Sequence, residues 1–375
     1  MRAAGQKLTK LEALRGAAAF YVMLSHTFSN CLIIGGKDLS ILMDFGQEAV
    51  ILFFVLSGFV IQYSFERSKD KSFSVFFSKR FFRIYIPLVI VFLTNYILLC
   101  FQRGGIFNPD WLELTGNIFM LQDAEALKPN VICSFFLGNS PLWSLSYEWW
   151  FYMLFFLIAT RYRKQASSII YITGIIATAS YLLYPNFVNR ILMYMSIWWA
   201  GADMAMLYLR GAKIDFKSLR ISLLVLLAEI VLLIMNVYFN KEKIANELGY
   251  STIGVSPYLE LRHFSFAFIS VFAAIIWQKL HWVLFSRTVG LFEPFAKISF
   301  GVYISHWFLV AKASYLDGFV GNVYLRYTLY FGVCFCFSYI VERKIYPYFN
   351  NKFLNSMRHK EKKPALANEL AQTTY

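Results

Sequence analysis

Charge is what this sequence has least of. Only 15% of its 375 residues are Asp, Glu, Lys or Arg, against 58% hydrophobic, whereas a soluble domain carries roughly 25% charged residues. So few charges cannot cover a chain of this size in water. That excludes an ordinary soluble enzyme and leaves an all-α, multi-span membrane bundle as the expected fold class. Acidic residues are scarcer than basic ones, 22 against 36, for a formal net charge of +14. In a membrane protein such an excess is first a matter of topology, so no nucleic-acid partner is expected. The five cysteines, Cys31, Cys100, Cys133, Cys334 and Cys336, show neither metal-ligand pairing nor a disulfide framework. Cys334 and Cys336 read as core residues, and no metal is expected. Internal repeats, a glycine-rich phosphate loop and a hydrolase nucleophile elbow are also lacking.

What is present is a series of apolar runs. A span takes about 20 mostly apolar residues, and on that criterion there are roughly ten: about 13–34, 46–63, 84–102, 146–160, 168–184, 190–209, 220–239, 262–280, 296–315 and 323–341. With the N-terminus inside, about 26 of the 36 Lys and Arg residues fall in inner segments and about 8 in outer loops, the asymmetry that the positive-inside rule requires. Both termini are therefore expected in the cytoplasm. The first apolar run is too long for a cleaved signal peptide and no small-residue cleavage site follows it, so it reads as a retained helix. Residues 1–350 form one expected transmembrane domain. The tail, 351–375, is polar and basic and is expected to be disordered. The longest outer loop, about 103–145, holds Asp110, Glu113, Asp123 and Glu125, which are placed to cap or line a site.

The first span, "LRGAAAFYVMLSH", keeps an arginine and a histidine in a segment bound for lipid. Arg15 and His26 are eleven residues apart, which is about three helical turns and a return to nearly the same face. Gly16 and Ala17–Ala19 keep the helix thin beside the arginine. Ionisable groups within a membrane usually face a cavity or a partner. Two readings stay open: Arg15 snorkels to the headgroups and His26 is a hydrogen-bonded core residue, or both border a site. The same choice applies to His306, near mid-depth of the ninth span.

Ordered motifs along nearly the whole chain resemble the acyltransferase-3 family of integral membrane acyltransferases. "LEALRGAAAFYVMLSH" is similar to its first-helix signature, "FGQEAVILFFVLSGFVI" to its second helix and "FSKRFFRIYIP" to its basic segment before the third. "PLWSLSYEWWFYM" resembles its Trp-Ser-Leu-Ser-x-Glu motif, and "ISFGVYISHWFLV" and "IVERKIYPYF" its ninth-helix and terminal motifs. The resemblance implies transfer of an acyl group from a cytoplasmic acyl-CoA, acetyl-CoA being the expected donor, to a hydroxyl on a glycan. A bacterial-type inner (plasma) membrane is the implied location, membrane lipids the surroundings, and a cell-surface, periplasmic or lipid-linked saccharide the acceptor.

The residues suit that chemistry. A hydroxyl must lose a proton as it attacks a thioester, and histidine titrates in the right range. His26 is the candidate general base, with His306 a second candidate, and Glu148 is the carboxylate expected to orient His26. The donor's phosphates call for cations, which Lys79, Arg80 and Arg83 supply from one helical turn, although they also serve the orientation rule. Arg15 is placed either for phosphate or for the charge developing at the thioester. Trp143, Trp149 and Trp150 read first as interface anchors, with Trp143, Ser146 and His306 the candidate acceptor contacts. Ser57 and Gly58 read as helix-packing residues. The competing class is a transporter or flippase in which Arg15, His26, Glu148 and His306 line a route or proton relay.

Overall fold

The computed structural model describes residues 8–29, 32–248 and 254–352. It is a helical bundle: α1 (Thr9–Phe28), α2 (Gly46–Arg67), α3 (Phe73–Arg103), the short α4 (Trp111–Ile118), α5 (Trp143–Arg161), α6 (Ala166–Leu183), α7 (Phe187–Leu209), α8 (Arg220–Leu248), α9 (Tyr258–Lys279), α10 (Ser299–His306) and α11 (Val323–Ile340). Among the described residues the sheet content is one hairpin, β1 (Ile33–Ile34) against β2 (Lys37–Asp38).

Among the described residues, six helical stretches are long and apolar enough to cross a bilayer: Ser40–Arg67, Phe73–Arg103, Ala166–Leu183, Arg220–Asn240, Tyr258–Lys279 and Val323–Lys352. Their outward faces are what a membrane demands. On α3, Val89, Leu93, Ile97 and Phe101 recur every four residues and are 52–66% exposed, so one apolar stripe of this helix faces away from the protein. In water that stripe would be a liability, whereas lipid accepts it. α1, α5, α7 and α10 coincide with the other four expected spans.

Three boundaries differ from the sequence reading. α1 stops at Phe28 and the chain enters the hairpin, so the first span is shorter than its apolar run. α3 begins at Phe73, so Lys79, Arg80 and Arg83 belong to the helix itself and not to a segment before it. The ninth span is broken: a 3-10 stretch (Val289–Lys297) precedes α10, and a π turn (Trp307–Ala311) follows it. π turns inside helices gather at functional sites. Cys334 is buried as expected, but Cys336 is exposed on the outer face of α11. The basic tail lies outside the described residues except for its first two positions.

Close packing in the bundle depends on glycine at two places. Between α2 and α7 the backbones nearly touch: a Cβ on Gly58 would lie 1.8 Å from the carbonyl oxygen of Trp198, and one on Gly201 would lie 1.9 Å from that of Val55. This reciprocal contact is the small-residue packing that membrane helices use in place of a hydrophobic driving force. Gly16 on α1 similarly meets the 3-10 stretch, where a Cβ would sit 2.1 Å from Phe292 O. α1 is thus drawn against the elements leading into α10.

The long loop between α3 and α5 is fastened by a buried ionic cluster. Asp123 pairs with Lys128 Nζ at 2.9 Å and with Arg190 Nε at 3.0 Å, all three side chains being fully buried, and it accepts from Tyr147 OH at 2.6 Å. Burial works to raise the Asp123 carboxyl, but Lys128 and Arg190 outweigh it and hold it below the usual carboxylate range. Asp110 instead caps α4, accepting from the Leu112 and Glu113 amides.

Candidate active site

A cavity of about 360 Å³ opens where the start of α3 meets α1, α2, α5, α10 and the helical turns that follow α11, which contribute Tyr346 and Asn350. Its walls include Arg15, Lys79, Arg80 and Arg83, together with Ser57, Glu148, Tyr152 and Tyr303. Five of the expected site residues, from three helices, therefore share one chamber. Arg83 is ion-paired with the buried carboxylate of Glu342 and lies over the rings of Phe300 and Tyr346, each 5.1 Å from its guanidinium carbon. Arg80 donates to Ser64 Oγ at 3.0 Å and its Nε is buried without a partner. Lys79 is exposed at the mouth, and half-buried Arg15 lies within electrostatic reach of Arg83, Glu148 and Glu342. Four cations against the carboxylates of Glu148 and Glu342 leave two positive charges in excess. A chamber so charged is suited to an anion.

Glu148 Oε1 accepts from Ser57 Oγ at 2.9 Å and from Tyr152 OH, one turn along α5. Its carboxylate is thereby fixed on the cavity wall. At the far end Tyr303 OH bonds Ser144 Oγ at 2.6 Å and donates to Pro141 O at 2.9 Å. On the other side of Tyr303, with ring centroids 6.1 Å apart, is His306. His306 Nε2 is 2.8 Å from His26 Nδ1, and Trp307 meets the His26 ring edge-on at 5.2 Å. α1 and α10 run side by side in the same direction. Ser299, Phe300 and Tyr303 share the chamber with Arg15, and His306 meets His26. The three-turn spacing read from the sequence does put Arg15 and His26 on one face, and that face is turned to α10.

Other expectations are corrected. Glu148 does not contact His26; its partners are Ser57 and Tyr152, and the histidine's partner is His306, 280 residues away in sequence. Trp143 is not an interface anchor and does not line the cavity. It is 5% exposed, stacked on His263 at 5.9 Å and covered by Lys128 Nζ at 4.0 Å. Trp149 is buried as well, and the Trp150 indole donates to Met120 O. Ser146 is fully buried and donates to Trp143 O and Gln122 O, so it serves the loop junction. Gly58 packs as expected, but Ser57 faces the cavity. The sequence reading also passed over Tyr152, Tyr303 and Glu342. The signal for Glu342 was an acidic residue at the end of an apolar run followed by two basic residues. Tyr152 is four residues beyond Glu148, the spacing at which helix side chains meet.

Comparison with known proteins gives this geometry its chemical context. A family model described as an acyltransferase domain matches residues 8–343. The protein is 32% identical over 164 residues to Acyltransferase MdmB of Streptomyces mycarofaciens, an alignment covering 42% of this chain and 41% of that relative. The match thus spans about two fifths of the relative's length. No solved structure is significantly similar. The paired histidines, the cavity residues other than Tyr346 and Asn350, and the motifs up to the start of the last one fall inside the matched region, and the chain belongs to the acyltransferase-3 family of membrane acyltransferases.

Proposed function

We propose that this protein is an acyl-CoA-dependent O-acyltransferase of a bacterial-type inner membrane. It carries an acyl group, acetyl by preference, from cytoplasmic acyl-CoA to a hydroxyl of a cell-surface, periplasmic or lipid-linked saccharide. Ten spans with both termini in the cytoplasm complete the reading, which the distribution of Lys and Arg supports. The cavity mouth, at the basic ends of α1 and α3, then opens toward the cytoplasm.

The observation that carries the reading is the chamber itself. Its cations stand at the mouth, its polar groups further in, and the paired histidines lie just beyond Tyr303. Lys79, Arg80 and Arg15 have capacity left for donor phosphates, since Arg83 is already paired with Glu342. Guanidinium groups suit phosphate oxygens geometrically as well as by charge. The pantetheine arm runs inward along Ser57, Glu148 and Tyr152 and brings the thioester to Tyr303. His26 takes the proton of the acceptor hydroxyl. The alkoxide oxygen bonds to the acyl carbon as the C–S bond breaks, and the sulfur leaves with its electron pair. The proton held by the imidazole then neutralises the thiolate.

Purified protein in lipid, given acetyl-CoA labelled in the acetyl group and an envelope saccharide fraction, tests this directly. Label moving into an alkali-labile ester on saccharide is the expected result. Folded protein that leaves the thioester intact overturns the proposal, and saccharide crossing the membrane without thioester consumption transfers support to a transporter.

A further inference from the structure

Two histidines meet on the far side of Tyr303, outside the lining of the cavity, and the hydrogen-bond pattern separates their roles. His306 Nδ1 is 3.1 Å from the carbonyl oxygen of Val302. A carbonyl only accepts, so Nδ1 carries the hydrogen. A neutral imidazole has one N–H, and His306 Nε2 is therefore a lone pair. That lone pair faces His26 Nδ1 at 2.8 Å, so the hydrogen between the rings belongs to His26 Nδ1. The centroids are 5.1 Å apart with 11° between planes, the disposition of two coplanar rings joined edge to edge by an in-line N–H···N bond.

The consequence falls on the fourth nitrogen, His26 Nε2, which is left unprotonated and has no polar partner among the described residues. Access follows the same division. His306 is fully buried with both nitrogens engaged, whereas His26 is half-buried. Its Nε2 points toward Gly46, where even an added Cβ would stand 3.9 Å away. The other groups around the pair are Tyr303, whose hydroxyl is committed to Ser144 and Pro141, the edge of Trp307, and Lys312, whose ammonium lies 5.5 Å from the Trp307 ring centroid.

We infer that His306 is a positioning residue that holds His26 in its Nδ1-protonated tautomer, so that His26 Nε2 alone accepts the proton of the acceptor hydroxyl. The histidine thus performs through a second imidazole the office that a carboxylate fills in a hydrolytic triad. When His26 becomes an imidazolium, its Nδ1–H still has a lone pair to point at. This assignment rests on the acyltransferase reading above and refines it.

The test uses two substitutions that both keep a polar, uncharged side chain in the buried site. In His306→Asn the shorter amide reaches toward Val302 O and stops short of His26. In His306→Gln the amide oxygen extends to where His306 Nε2 stands and accepts the Nδ1–H. Turnover of acetyl-CoA by the full-length protein in lipid is measured against donor concentration, with thermal melting recorded for each. The expected result is kcat within about tenfold of the unsubstituted protein for Gln and a loss of about 100-fold or more for Asn, with KM for acetyl-CoA moving less than about twofold in both. Equal activity of the two variants, or a loss that appears in KM or tracks melting, overturns the assignment. Absence of turnover by the unsubstituted protein refutes the activity itself, whereas the ratio between the variants addresses His306 alone.

Discussion

Arg80 offers the sharpest test of the donor end. Its guanidinium lines the chamber, is held by Ser64 Oγ at 3.0 Å and keeps a buried Nε with no partner. Replacing it by Gln removes one charge and the donors that would face a phosphate, yet leaves the Arg83–Glu342 pair untouched. A hydrogen bond to a charged group contributes about 1.5–3 kcal/mol, and every 1.4 kcal/mol is about tenfold in affinity. The lower half applies here, because the cavity mouth admits solvent and salt. KM for acetyl-CoA should therefore rise about 10- to 40-fold, with kcat changing less than about twofold, since Arg80 contacts Ser64, Phe76 and Tyr152 and neither histidine. Steady-state thiol release reads both quantities. The control is acetyl-pantetheine, which carries the same thioester without the phosphates. The unsubstituted protein and Arg80→Gln should use it equally poorly, so that the penalty vanishes with the phosphate, as in a double-mutant cycle. An unchanged KM for acetyl-CoA, or the same penalty with both donors, refutes the placement of phosphate at Arg80.

Two predictions concern the fold. Asp123→Asn leaves Lys128 and Arg190 buried without their counter-charge, which should cost about 3–5 kcal/mol and lower the melting temperature. Because Asp123 is held below the ordinary carboxylate range, its contribution is complete at neutral pH and is lost as pH falls through that lowered value. Melting followed from pH 7 downward should therefore show an acid-linked loss in the unsubstituted protein that the variant lacks. Gly201→Val forces a side chain to within 1.9 Å of the Val55 carbonyl, separating α2 from α7. Folded yield from membranes should collapse, while Gly332→Ala, where an added Cβ meets nothing within 4 Å and the backbone is not left-handed, should melt within a few degrees of the unsubstituted protein.

Much of this molecule is legible in one dimension. Low charge and ten apolar runs gave the helical bundle, and the eleven-residue spacing of Arg15 and His26 placed both on the face that α10 covers. Hydropathy failed where helix and apolar run part company. α3 starts at Phe73 because its first turns are helical and basic at once, and lipid-based reading discards basic turns. α1 ends at Phe28 although the sequence beyond it stays apolar, because the hairpin takes up Ile33 and Ile34. Pro294 stands in the 3-10 stretch that opens the broken ninth span. Within the site, periodicity finds neighbours on one helix and is silent about neighbours on two. Glu148 was paired with the wrong group because nothing local to "SLSYEWW" shows that Ser57, 91 residues earlier, is the closer partner. The His26–His306 bond spans 280 residues and is a tertiary fact. Trp143 misled for a different reason: an aromatic at a span end suits an interface, but here Lys128 and His263 claim its ring.

The central claim is that one imidazole nitrogen, His26 Nε2, accepts the proton of a saccharide hydroxyl as the thioester is broken. Acetyl transfer from labelled acetyl-CoA to envelope saccharide, measured side by side for the unsubstituted protein and His26→Ala at equal folded amounts, tests it most directly. His26→Ala should transfer acetyl about 10²–10⁴-fold more slowly with donor binding preserved. Transfer by His26→Ala at a rate near that of the unsubstituted protein would contradict it.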